Sequence, residues 1–283
     1  MRIVMMSALL LSLAACAGSM DRTGLAERYV RDQRAMGFLR TERDPADAPY
    51  SAADLARHFE LVVFEPEAQL VGYDPDLATE DYRVRKWGGP IRYRLEGQGL
   101  DAVAVNQVAA TASRLGRATG LDIRAAQDEP ANLLILSLDP KTRAGLLDAL
   151  RARFPDMPID ALDWFVTRPE TPCAGQFYQD VESGEILGGF VFLSAEIGGL
   201  LRRACIEEEM AQMMGLTQDH PEVRPSIFND DNEFALLTRH DEELLRLLYD
   251  PRLRAGMTRA EAAPIVRRIA LEIRGAASPG NGA

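Results

Sequence analysis

Histidine is scarce in this chain: there are three in 283 residues, His58, His220 and His240. A zinc site built from three imidazoles would need all of them. Cysteine is equally sparse, at Cys16, Cys173 and Cys205. There is no G-x-S-x-G and no Walker loop, so serine-hydrolase and phosphate-loop chemistry find little support. Basic residues are outnumbered, 32 Lys+Arg against 43 Asp+Glu, and a formal charge of −11 argues against a nucleic-acid partner. Even the apolar run at the N-terminus, Ile3 to Ala15, is too short to span a bilayer.

That run has the layout of a secretory signal, with Arg2 before it and small residues at its end. It closes on Leu13, Ala14, Ala15 and Cys16, which resembles the lipobox where bacterial lipoproteins are cleaved and acylated on the cysteine. Residues 1–15 are therefore expected to be a signal peptide and Cys16 the lipidation site; the alternative is a cleaved signal with an incidental cysteine. Each buried methylene contributes ~0.8 kcal/mol, so several acyl chains make a durable anchor. Ala17, where Gram-negative lipoproteins retained in the inner membrane carry Asp, implies the outer membrane by the same resemblance. The expected location is the cell envelope, lipid-anchored and facing the periplasm, with the membrane as a partner. Losing Arg2 leaves 31 Lys+Arg against 43 Asp+Glu, a formal charge of −12. Only Cys173 and Cys205 then remain, and an oxidising compartment favours a disulfide between them; two separate buried thiols are the alternative.

Residues 16–50 read as a lipidated tether with one short helix, ending on Asp44-Pro45-Ala46-Asp47-Ala48-Pro49. Residues 51–274 read as the globular domain, and the small, polar 275–283 as a disordered tail. Ser51 to Asp54 is a capping pattern. Ile91, Tyr93 and Leu95 alternate with Arg92 and Arg94, which predicts a strand. A helix over 100–119 with Gly120 as its cap, two strands at 121–126 and 132–138, and a helix opened by Asp139-Pro140 follow. Strands near 174–180 and 187–193 precede a long helix from about Ala195 to Met214. Thr238 to Asp241 and Thr258 to Glu261 open two more helices.

On the long helix, Cys205, Glu208, Gln212 and Gly215 fall on one face, with Glu209 beside it. By composition alone, Glu207-Glu208-Glu209 reads as a solvated acidic turn. Met210, Met213 and Met214 read as core filling.

The order of elements from Ile91 to Tyr249, roughly 160 of the 283 residues, resembles the zincin metallopeptidases, in particular matrixin-like metzincins: strand, long helix, two strands, a further strand, then an active-site helix ending in Gly-Leu. In those enzymes H-E-x-x-H-x-x-G-x-x-H supplies three zinc histidines and a glutamate as general base. Here the glutamate position is Glu209 and the glycine is Gly215, while Glu208, Gln212 and Gln218 stand where the histidines would be. Ser226, Ile227, Phe228 and Asn229 occupy the methionine-turn region, with Phe228 in place of Met. A closer resemblance is to a bacterial family of lipoproteins without an assigned reaction, carried by Cys205, Glu208-Glu209, Gln212, Gly215-Leu216, Asp219, Ser226-Ile227-Phe228-Asn229-Asp230 and Leu248-Tyr249-Asp250-Pro251.

The resemblances imply an α+β, zincin-like fold with a mixed sheet, a long central helix, an active-site-type helix and a helical C-terminal part. They also imply a degenerate site that binds rather than cuts, with an extended peptide or envelope protein as partner and the strand at 187–193 as the docking edge. The alternative is a metallopeptidase or other hydrolase with a weak divalent-metal site at Glu208, Gln212 and Gln218, assisted by Asp219 or His220, and Glu209 as general base. A metal-free dyad of Glu208 and Glu209 is disfavoured because neighbours on a helix point about 100° apart.

Overall fold

The computed structural model describes residues 22–65, 82–153, 165–168, 171–229 and 231–277. The expected signal peptide, Cys16 and Asp230 lie outside these residues.

Helix α1 (Arg22–Ala35) leads into an irregular segment, and α2 (Ala52–Phe64) opens on the Ser51–Asp54 capping box that the sequence announces. Residues 36–50 are packed along the domain. Leu39 and Ala48 are buried, the backbone at Arg40 bridges to Phe234, and the Arg43 guanidinium bonds Glu207. The described part of the expected tether is thus strapped down from Leu39 onward.

Strands β1 (Lys86–Trp87) and β2 (Ile91–Gly97) precede helix α3 (Ala102–Thr119), capped by Asp101 at its start and by left-handed Gly120 at its end. β3 (Ile123–Ala125) and β4 (Leu133–Leu138) follow, then α4 (Pro140–Ala144) and α5 (Leu146–Arg153), which Gly145 separates where one helix was expected. β5 (Cys173–Gln179) and β6 (Glu185–Ser194) form a hairpin that delivers the chain to α6 (Gly199–Gln212). α7 (Arg239–Leu248) and α8 (Arg259–Ala277) close the domain. α8 carries three residues, 275–277, of what was read as a disordered tail.

The sheet is mixed and runs β3-β2-β4-β6, with every pair parallel, β1 parallel to the start of β6, and β5 antiparallel to β6. Both faces are covered, as a parallel sheet requires. Period-two alternation assigns Leu133, Ile135, Val191 and Leu193 to the main core under α2, α3, α6 and α7. Phe190 and Phe192 point the other way, against Leu146, Leu147, Leu150 and Phe165.

One placement corrects the sequence reading. The strand expected to be the docking edge, 187–193, lies within β6 and is paired to both β4 and β5. On the side of β6 away from β4, the antiparallel strand β5 is an edge: among the described residues it pairs with β6 alone, as β1 pairs with β6 and β3 with β2 alone.

Candidate functional site

α6 is the element on which the candidate residues converge. It packs on α3, β5 and β6 and is tied to β5 by the Cys173–Cys205 disulfide. Its C-terminal end is held by hydrogen bonds from distant side chains: the Trp87 indole donates to Met213 O at 2.8 Å, and the Tyr249 hydroxyl donates to Met214 O at 2.9 Å. Gly215 then turns the chain at φ 109°, where a Cβ would come within 2.0 Å of Arg85 O. Only glycine fits that conformation and that approach. Thr217 and Gln218 continue by donating both backbone N–H groups to Val62 O on α2.

The three glutamates in a row have three different environments, and two of them overturn the expected solvated turn. Glu207 is buried but fully compensated: Arg43 grips both carboxylate oxygens at 2.8 and 2.9 Å, Arg203 adds a bond at 3.0 Å, and the Leu237 N–H donates at 2.9 Å. Glu209 is equally buried, at 7% exposure, yet its Oε2 has no hydrogen-bond partner among the described residues. Burial, then the nearby Asp219 charge, push its pKa up to about 8, so the carboxyl is mostly protonated at neutral pH. Glu208 is half-buried, and burial, Asp219 and Glu209 raise its pKa in the same direction.

Asp219 is thus the residue that draws the cluster together. It accepts a hydrogen bond from the Gln212 amide at 3.3 Å. Gln218 goes elsewhere, donating its side-chain amide to Thr217 Oγ1 at 3.1 Å. His220 is turned toward its own loop, where Nδ1 accepts from the Glu222 N–H, and the other two histidines pair with each other in the core at 2.9 Å. Among the described residues, no three His, Cys, Asp or Glu side chains are placed to hold a metal ion.

β5 runs alongside this face of α6. Gly175 sits so close that a Cβ there would lie 2.8 Å from Glu209 Oε2 and 2.5 Å from Met213 Cε. In front of it opens a small cleft of about 170 Å³, lined by Arg85, Gly175, Gln176, Phe177, Gln212, Met213 and Thr217. Glu209 lies behind Gly175 and not on the cleft wall. Gly175 and Arg85 were not singled out in the sequence, where no spacing rule connects them to α6.

The Ser226–Asn229 segment is structural. Ser226 Oγ donates to Asp241 Oδ1 at 2.5 Å, and the Ile227 and Thr238 N–H groups donate to the other oxygen of the same buried carboxylate. Phe228 is fully buried, and the Asn229 amide donates to Pro221 O and Val223 O. Met210, Met213 and Met214 are core, as expected. Among the described residues no helix is long and apolar enough to cross a membrane.

The fold and the site define a mixed α/β domain organised around a helix that carries buried acidic groups behind a sheet-edge cleft. The chain belongs to the DUF2927 family, described as a protein of unknown function, whose pattern matches residues 52–268. No curated protein matches it.

Proposed function

We propose that this chain is an envelope lipoprotein, anchored through Cys16 to the outer membrane and facing the periplasm, whose domain is a zincin-like scaffold that binds an extended peptide strand without cleaving it. The observation that carries the non-catalytic reading is the seclusion of Glu209. A general base must come within hydrogen-bond reach of a substrate or its water. The Glu209 carboxyl is buried behind Gly175 and largely protonated near pH 7, which suits neither task.

The zincin-like reading is supported by the order of elements, β2-α3-β3-β4, then α4 and α5, then β5-β6-α6, and by the turn at Gly215 at the end of α6. The binding reading is supported by β5: an antiparallel strand with one unpaired edge beside a cleft is a surface to which another strand can add by backbone hydrogen bonds. The anchor is supported by the Leu13-Ala14-Ala15-Cys16 motif.

The test uses soluble protein starting at Ala17, purified without chelator. Metal content is measured by mass spectrometry for wild type and Gln212→Ala, and a panel of extended peptides is assayed for binding and for cleavage. Binding without cleavage, weakened by Gly175→Val, is the expected result. Stoichiometric metal that Gln212→Ala abolishes, or cleavage that Glu209→Gln abolishes, would overturn it in favour of a hydrolase. The raised pKa of Glu209 is the observation that keeps that second reading in view, because perturbed carboxyls concentrate at functional sites.

A further inference from the structure

A larger cavity, about 480 Å³, opens where α3, α6 and the strap at Arg43 meet, on the side of α6 that carries Arg203 and Glu207. Glu207 and Glu209 are two residues apart on a helix, about 200° around its axis, so this cavity is separate from the cleft beside β5. Its volume falls in the range of small-ligand sites, roughly 300 to 1,000 Å³. In a chain with a formal charge of −11, its wall carries four arginines, Arg43, Arg114, Arg117 and Arg203, and a single carboxylate, Glu207.

We propose that this cavity is a binding site for a phosphomonoester group, held by Arg114 and Arg117 and closed by Arg43 and Arg203. The charges at the wall do not balance internally. Arg43 and Arg203 share the one Glu207 carboxylate. Arg114 is ion-paired to Glu242, with Nε 2.5 Å from Oε1. Among the described residues Arg117 makes no ion pair, and its side chain donates to the Ser113 hydroxyl at 2.7 Å. Four guanidiniums at the wall meet Glu207 there and, behind it, Glu242, which Arg114 shares with Arg246, so at least two positive charges are left, which a dianion neutralises. Guanidinium forks match phosphate oxygens bidentately, and such charge-assisted bonds are shorter and stronger than neutral ones. The crowding of cations also tells on Arg114, whose proton affinity is lowered by burial first and by Arg43 second. Val103 adds an exposed apolar residue at the wall, suited to the carbon skeleton of the ester.

The same chemistry can come from a soluble phosphomonoester or from a lipid headgroup, and the experiment separates the two. Soluble protein starting at Ala17 is titrated with glycerol 3-phosphate by calorimetry, and sedimented with vesicles of phosphatidylcholine with and without phosphatidic acid. The expected result is saturable binding with Kd below about 1 mM, weakened at least tenfold in Arg117→Gln and in Arg114→Gln. Arg117 is exposed and hydrogen-bonds the Ser113 hydroxyl one turn away on the same helix, so its substitution is expected to leave the fold intact, which a matching circular-dichroism melt verifies. Binding to the soluble ester assigns a soluble ligand; sedimentation confined to phosphatidic acid vesicles and lost in Arg117→Gln assigns the headgroup. Absence of saturable binding in both arms, or binding by Arg117→Gln equal to wild type, overturns the proposal.

Discussion

Raising the pH from 6.5 to 8 is expected to destabilise this protein, and the cause is Glu209. An ordinary glutamate ionises near 4.3, whereas the Glu209 carboxyl is held up to about 8 by burial and by Asp219. Between those values the unfolded chain has released the proton and the folded chain has kept it, so the unfolded state binds fewer protons and stability falls as pH rises. Each pH unit fully inside that window removes about 1.4 kcal/mol. His58 works in the opposite direction. Burial, then His240, lower its pKa to about 4, so its contribution is intact above its unfolded value of about 6.5 and is lost as pH falls toward 4. Below pH 6.5 the slopes of Glu209 and His58 therefore nearly cancel, and above it the raised carboxyl is no longer offset by His58. From pH 6.5 to 8 the decline is roughly 1 to 2 kcal/mol, less than the full slope because ionisation of the folded carboxyl has begun by then. Urea denaturation at pH 6.5, 7.25 and 8 measures it in wild type and in Glu209→Gln, which cannot ionise. Glu208 is raised in the same direction and contributes to the same slope, so Glu208→Gln is measured alongside. Loss of the decline in Glu209→Gln supports the assignment. A decline unchanged in both variants, or a wild type that gains stability over this range, refutes the reasoning that burial and Asp219 raise these carboxyls.

Replacing Cys173 and Cys205 by serine opens a loop with a sequence separation of 32, and the chain-entropy estimate puts the loss at about 3 to 4 kcal/mol, read by guanidinium unfolding. Gly215→Ala places a Cβ against Arg85 O in a left-handed backbone; strain and overpacking together are expected to cost at least about 3 kcal/mol by the same assay. Arg43→Ala leaves the buried Glu207 with Arg203 and the Leu237 N–H, so a loss of about 2 kcal/mol is expected, below the full cost of stranding a buried charge. Much of that loss should disappear when Glu207 is also changed to Gln, a double-mutant cycle that separates the ion pair from the packing of the strap.

Local signals carried much of the fold. The Ser51, Asp139 and Thr238 caps each mark the start of a helix, and Gly120 the end of one, because these are interactions between residues a few positions apart. The alternation at Ile91-Arg92-Tyr93-Arg94 is likewise a local consequence of one face of the strand being buried. What escaped detection is non-local. β6 was read as an edge although Phe190-Val191-Phe192-Leu193 is a continuous apolar run, the mark of a strand covered on both faces. The burial of Glu207 depends on Arg43, 164 residues earlier, and nothing within α6 encodes that partner. In the candidate site, Glu208, Glu209 and Gln212 were legible from helical spacing. The role of Gly175 was not, because a glycine in a strand does not show which side chain will fill the space it leaves.

The difference between Glu207 and Glu209 separates support from function within one helix. Leaving a buried charge without partners costs several kcal/mol, and Glu207 avoids that cost through two arginines and a backbone N–H, which fasten the strap to α6. Glu209 meets the same burial by keeping its proton, and its Oε2 stays unpaired. A buried carboxyl that merely filled space would be replaced with gain by an apolar side chain of similar volume. The arrangement gains a purpose if a strand docked on β5 displaces the backbone at Gly175 and lets the Glu209 carboxyl meet a hydrogen-bond partner, since Gly175 is the one position on β5 where the absent side chain leaves that carboxyl against the strand. Peptide binding at β5 would then lower the pKa of Glu209 and flatten the decline in stability between pH 6.5 and 8, whereas a ligand in the arginine-lined cavity would leave that slope as it is.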